Sequence, residues 1–283
     1  MKGREYSGAA GGAGLCHTGR MLPLTLAAIV LYLGAAALQA RPLLDGREPA
    51  RLAARVLALL AVLAQGSEIA IAHRGALDLH FFAALSLIAC VVAALTLLVD
   101  LWRPVAALGV IVFPLAALLL AVDVFLAPPT LPQALPWPIK LHVTLALLAY
   151  GLLSIAALLA LLLAFQERSL RRHRVPVLLR ALPPLTLTET LMFRLIGAGF
   201  ALLTLTLVSG ALFVHNLLAQ HLLHKTVLSI LAWLVFGALL LGRWRAGWRG
   251  PRAVGLTLAG MAVLVLAFFG SKFVLELLLQ RKL

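Results

Sequence analysis

The sequence predicts an all-α fold, a polytopic membrane bundle of about eight transmembrane helices, on three observations. Of 283 residues, 63% are hydrophobic and 12% charged, with a mean hydropathy of +1.05. The apolar residues come in runs of about twenty, the length that crosses a ~30 Å hydrocarbon core as an α-helix. The 24 lysines and arginines gather between those runs. A soluble domain is excluded. So is a nucleic-acid-binding reading of the +14 net charge, because arginines between spans orient a chain in the bilayer.

The spans are expected at about 21–40, 51–66, 80–99, 104–123, 141–165, 193–214, 225–242 and 253–271. The second is the weakest, because Arg51, Arg55, Gln65 and Glu68 crowd it, and seven spans is the alternative. With eight, 15 of the basic residues fall in the odd-numbered loops and 9 on the other side. The positive-inside rule then puts both termini outside a bacterial inner (cytoplasmic) membrane. Charge inside the spans is scarce: Asp123 is the most central carboxylate and Pro114 the clearest internal kink.

Residues 1–20 differ from the rest. Their Gly-Ala-Ala-Gly-Gly run builds no core and reads as a disordered or over-extended start, with Met21 as the expected beginning of a single transmembrane domain over 21–283. Ala37-Leu38-Gln39-Ala40-Arg41 imitates a signal-peptidase site, but the preceding run is longer than a signal core and reads as a retained span. Cys16 and Cys90 belong to no CxxC or CxxCH pattern, which leaves thioredoxin-like chemistry and covalent c-type haem attachment without support. Cys90 reads as a small apolar residue of a span.

In this topology His73, His80, His142, His215, His221 and His224 fall at outer loops or outer span ends, and His173 on the cytosolic side. Imidazole is a common ligand for haem iron and other metals. Taken singly, each reads first as an interfacial residue. His221 and His224 share a helix face at i, i+3, a spacing that recurs by chance. No HExxH supports catalytic zinc, and nothing in the chain performs bond chemistry, so a non-enzymatic protein is expected.

Two segments carry a resemblance. Leu141-His142-Val143-Thr144 leading to Tyr150 resembles the histidine-plus-tyrosine helix of the cytochrome c assembly membrane proteins, the CcsA/CcmC/HemX superfamily. Phe193-Arg194, then Gly199-Phe200-Ala201-Leu202-Leu203-Thr204 and Ser209-Gly210, resemble that family's tyrosine-arginine start, Gly-Phe-x-Leu-Leu-Thr block and closing glycine. Gly247-Trp248-Arg249-Gly250, Gly260 and Phe269-Gly270 match the turn and span that follow. The resemblance covers about 140–275, the cytochrome c assembly-like part, and implies an outer-face haem site with His142 as an axial ligand.

The family's tryptophan-rich loop between the sixth and seventh spans is replaced by Phe213-Val214-His215-Asn216 through His224-Lys225-Thr226, and only Lys225 echoes that motif. Gly270-Ser271-Lys272 stands where a second outer histidine is expected. These departures resemble the YpjD-like branch, which lacks the loop. The resemblance therefore implies haem held by His142 and His224, with Lys225 and Lys272 meeting propionates and Trp137 as the nearby stacking aromatic. Binding is expected to be weak, since each missing aromatic contact is worth ~0.5–1.5 kcal/mol beyond its buried area.

Structural readings stand beside these. Gly197, Gly199 and Gly210 serve close helix packing in lipid. Trp233, Trp244 and Trp248 fit span ends. Lys272 and Glu276 pair at i, i+4. Pro128 to Pro138 forms a stiff interfacial loop. The expected partners are the lipid bilayer and, by resemblance, haem and cytochrome c biogenesis proteins, with no nucleic acid. A HemX-like regulatory protein of tetrapyrrole synthesis, docking a cytosolic partner at loop 166–194, is the alternative. A small-molecule permease is the second, though neither inverted repeat nor paired helix breaks are present.

Overall fold

The structure, a computed structural model, describes residues 9–44, 50–73, 81–102, 106–126, 136–171, 182–213 and 220–270, and side chains from 22–42, 50–71, 81–102, 107–126, 136–171, 182–213 and 225–269. Among these residues eight helices follow one another: α1 (Ala9–Leu44), α2 (Arg51–His73), α3 (Phe81–Trp102), α4 (Ala106–Leu126), α5 (Trp137–Arg171), α6 (Leu185–Phe213), α7 (Gln220–Ala246) and α8 (Pro251–Val265). A π-helical turn, Leu266–Gly270, continues α8. All eight are long and apolar enough to cross a bilayer, the last with its π turn. Only helices satisfy every backbone group inside the segment, as lipid demands. The chain is therefore a multi-pass membrane protein.

Two expectations change here. α1 is already helical from Ala9, within the segment expected to be flexible, because extending an existing helix needs no new nucleus even across its glycines. α2 continues to His73, beyond its expected end near residue 66. The cause is that its polar residues turn inward: Ala54, Ala58, Ala61, Gln65 and Glu68 are all buried and recur every three to four residues on one face.

The helices form two halves. In the first, α1 packs on α2 and α4, and α3 on α4 and α2; in the second, α5 packs extensively on α6 and also on α8, with α7 between α6 and α8. The joint is α3 against α5. Gly151 of α5 makes it close, since a Cβ there would stand 2.7 Å from Leu95 Cδ1 and 3.0 Å from Val91 Cγ1 of α3. Gly199 does the same between α6 and α5, its Cβ position lying 2.8 Å from Leu153 Cδ2. Gly197 has nothing within 4 Å, so the packing role expected of it belongs to Gly199.

At the end of the bundle opposite the start of α5, the Gly242–Gly250 turn is pinned from three sides. Arg243 Nη1 donates to Glu189 Oε1 at 3.0 Å and to the Trp248 carbonyl at 3.2 Å, with its guanidinium 4.6 Å above the Phe193 ring. Gly247 and Gly250 have φ of 62° and 57°, a left-handed conformation that favours glycine. Trp244 is exposed, as a span-end tryptophan should be, whereas Trp248 lies on Gly242. Trp233 departs from the interfacial expectation. It lies within α7, stacks on Phe200 at 5.4 Å and donates its indole N–H to Thr204 Oγ1 at 2.8 Å.

Candidate functional site

At the other end, α3, α5, α6, α7 and the end of α8 line an open-mouthed cavity of about 470 Å³. Its walls are largely aliphatic, from Ala84 and Ile88 on α3, Val143, Ala146 and Leu147 on α5, and Leu203 and Leu207 on α6. The polar side chains among its lining residues are few: His142, Tyr150, Thr206, Lys225, Thr226 and Ser229, of which Tyr150 and Thr206 donate to carbonyls. A mostly apolar concavity with a few convergent polar groups, in the ~300–1,000 Å³ range, is the usual form of a small-molecule site.

His142 is held by two adjacent residues of α6. Its Nδ1 lies 2.9 Å from Ser209 Oγ, and Ser209 Oγ also reaches the Thr206 carbonyl at 2.9 Å. The ring passes over Gly210, where a Cβ would stand 3.1 Å from His142 Cε1. Ser209-Gly210 thus works as a seat, the hydroxyl engaging one ring nitrogen and the missing side chain admitting the ring. With Nδ1 engaged, Nε2 is the nitrogen left for a metal, the usual arrangement of an oriented histidine ligand.

The far wall is tied down by Tyr150, two helical turns beyond His142. Its hydroxyl donates to the Leu264 carbonyl of α8, and its ring lies 5.8 Å from Phe268 in the π turn. Ala267 and Phe268 of that turn line the cavity, so the irregular backbone at the end of α8 belongs to the site. Such turns recur at functional sites.

Of the residues expected at a site, the structure brings His142 and Lys225 into one cavity wall, from α5 and α7. Trp137 lies outside that lining, edge-on to Phe213 at 6.0 Å and largely exposed. His224 is on α7, but its side chain lies outside the described residues, as do those of His73 and His221; His80, His173, His215, Lys272 and Glu276 lie wholly outside them, as does most of the Pro128–Pro138 stretch. The centre of loop 166–194 also falls outside them, at residues 172–181. The sequence reading missed Ser209 as a partner for His142, although Ser209-Gly210 was in view as part of the resemblance and Gly210 as a packing residue. It also missed Phe268 and the π turn.

A family model described as "Cytochrome C assembly protein" matches residues 52–279. The chain belongs to the cytochrome c assembly protein family. Among curated proteins of the family type, "Inner membrane protein YpjD" of Escherichia coli K12 is 42% identical over 137 residues, covering 48% of this chain and 52% of its own length. An uncharacterized 28.8 kDa protein of Azospirillum brasilense is 38% identical over 143 residues, covering 50% and 53%. "Cytochrome c biogenesis protein CcsA" of Chlamydomonas reinhardtii is 27% identical over 181 residues, covering 60% and 49%. The chain spans about half the length of these relatives. No solved structure matches it. The family match runs through the cavity helices and extends back to α2, well before the 140–275 region expected from the sequence.

Proposed function

We propose that the protein binds haem in the cavity at the His142 end of the bundle and positions it there in support of cytochrome c assembly. One observation carries the reading: the single histidine with a described side chain stands in the wall of a large apolar cavity, its Nδ1 held by Ser209 so that Nε2 is left for iron. The donor set fits the group. Haem supplies an iron that accepts imidazole nitrogen, an apolar macrocycle and two anionic propionates.

The residues divide accordingly. His142 offers the nitrogen, Ser209 and Gly210 fix its ring, the aliphatic walls with Tyr150 and Phe268 exclude water, and Lys225 brings a cation to the wall for an anionic substituent. His224, adjacent to Lys225 in sequence, is the proposed second ligand, and Lys272 a second cation. The positive-inside count puts this end outside the membrane.

The test is an absorption spectrum of the detergent-purified protein with and without added haem. Saturable binding with a low-spin spectrum is expected, lost in His142→Ala while the protein still purifies as a folded species. Absence of saturable binding at micromolar haem overturns the proposal.

A further inference from the structure

The first half of the bundle holds a second polar feature, remote in chemistry from the cavity. Glu68 of α2 is 7% exposed within a membrane-spanning segment. Thr25 of α1 donates to its Oε1 at 2.6 Å, and Oε2 is buried with no hydrogen-bond partner. Three residues earlier on the same face, Gln65 accepts from the Tyr32 hydroxyl of α1 at 2.8 Å and donates to the Oγ and carbonyl of Ser86 on α3 at 3.2 Å each. A polar ribbon therefore ties α1, α2 and α3 together. It meets α3 on the side away from the cavity, because Ala84 and Ile88 face the cavity and Ser86, between them, faces Gln65.

We propose that Glu68 is a proton-binding site of the membrane domain, a carboxyl that carries an exchangeable proton. Among the described residues no cation pairs with it; the two ion pairs there are Arg55–Asp100, at the other end of α2, and Arg243–Glu189, in the second half. The titratable group that bears on it is Asp123 on α4, while Tyr32 on α1, with Cys90 of α3 acting on it, gives its hydroxyl to Gln65. None of these supplies positive charge, and Asp123 adds negative charge. An ionised carboxylate with a buried, unpaired oxygen in a bilayer is among the costliest arrangements a span can hold. A proton removes the charge, and the orphaned Oε2 is the atom left to carry it or to meet a water. Alternation of successive spans puts Glu68, near the end of α2, at the same end of the bundle as His142, near the start of α5. The inference does not depend on haem binding.

Dicyclohexylcarbodiimide is the probe. The acid proton goes to one reagent nitrogen while the carboxyl oxygen bonds the central carbon, and acyl migration to nitrogen gives a stable N-acylurea with no atom lost. The full-length protein in its membranes is treated across a range of pH and mapped by peptide mass spectrometry. The expected result is an adduct at Glu68 that falls about tenfold for each pH unit above the titration. It should vanish in Glu68→Gln and increase in Thr25→Val, which removes the donor at Oε1. A pH-independent adduct, or equal labelling by a water-soluble carbodiimide with a hydrophilic amine, overturns the proposal. Infrared spectra of wild type and Glu68→Gln give a measurement independent of reagent access. A protonated-carboxyl band present in the first and missing in the second is expected, and its absence from the wild type overturns the proposal.

Discussion

His142 Nδ1 lies 2.9 Å from Ser209 Oγ, so that the imidazole of α5 is oriented by a hydroxyl of α6. Under the proposed function this contact sets affinity, since loss of a hydrogen bond to a metal-ligating histidine commonly costs about 10–100-fold in binding. Ser209→Ala is expected to weaken haem binding by about that factor, as read in a spectral titration. The amount of protein in the membrane should not change. Gly210→Ala, which pushes against the ring, should act in the same direction.

Gly199 and Gly197 lie two residues apart on α6 and predict opposite outcomes. At Gly199 a methyl would meet Leu153 at 2.8 Å, and overpacking of this kind costs about 1–3 kcal/mol. At Gly197 there is open space, and replacing a mid-helix glycine by alanine gains about 0.5–1 kcal/mol. Thermal midpoints in detergent should fall for Gly199→Ala and hold or rise for Gly197→Ala.

The turn before α8 predicts a coupling. A Cβ on Gly242 would lie 2.3 Å from Trp248 Cε3, so Gly242→Ala must displace the indole. Its cost is expected to be about 1–3 kcal/mol alone and much smaller in a Trp248→Ala background. A double-mutant cycle on unfolding midpoints measures the difference. Equal costs in both backgrounds would show that the close approach does not govern stability.

Eight apolar runs were legible from length, because a bilayer fixes helix length, but seven spans stayed open until α2 was seen to be long enough to cross. Which helices meet was not legible, since that depends on small residues such as Gly151 and Gly199 meeting particular partners. The site was half legible. His142 and Lys225 were named from resemblance and share a cavity wall, while Ser209, Phe268 and the π turn depend on tertiary placement. Glu68 had a visible signal that was misread. Arg51, Arg55, Gln65 and Glu68 made α2 look like a poor span, but Gln65 and Glu68 fall in phase with Ala54, Ala58 and Ala61. Polar residues in register with a stripe of small ones point into a bundle, and Asp123, which looked central in sequence, is less buried than Glu68 and Asp100.

Arg55 and Asp100 give a stability prediction. Arg55 Nε lies 2.8 Å from Asp100 Oδ2 and its Nη2 donates to the Asp100 carbonyl at 2.6 Å, joining α2 to α3. The Asp100 side chain is 9% exposed and that of Arg55 27%. Removing the more exposed partner takes a charged donor from a buried carboxylate, and a hydrogen bond to a charged group contributes about 1.5–3 kcal/mol. Arg55→Ala should therefore destabilise more than the double variant Arg55→Ala/Asp100→Asn, again by thermal midpoint in detergent.

Topology follows from charge and span number together. Segment 172–180 holds Arg172, Arg174 and Arg180, and among the described residues three membrane-spanning helices, α6, α7 and α8, lie between it and the C-terminus. The positive-inside rule makes the arginine-rich segment cytosolic, and an odd number of crossings then puts the C-terminus outside. A reporter active only in the cytosol should therefore signal when inserted at 172–180 and stay silent at the C-terminus, with the reverse for a reporter active only outside. The same logic puts the start of α5, with His142, on the outer side. Reporters that signal from one side at both positions would remove a span from the second half and move His142 relative to the membrane.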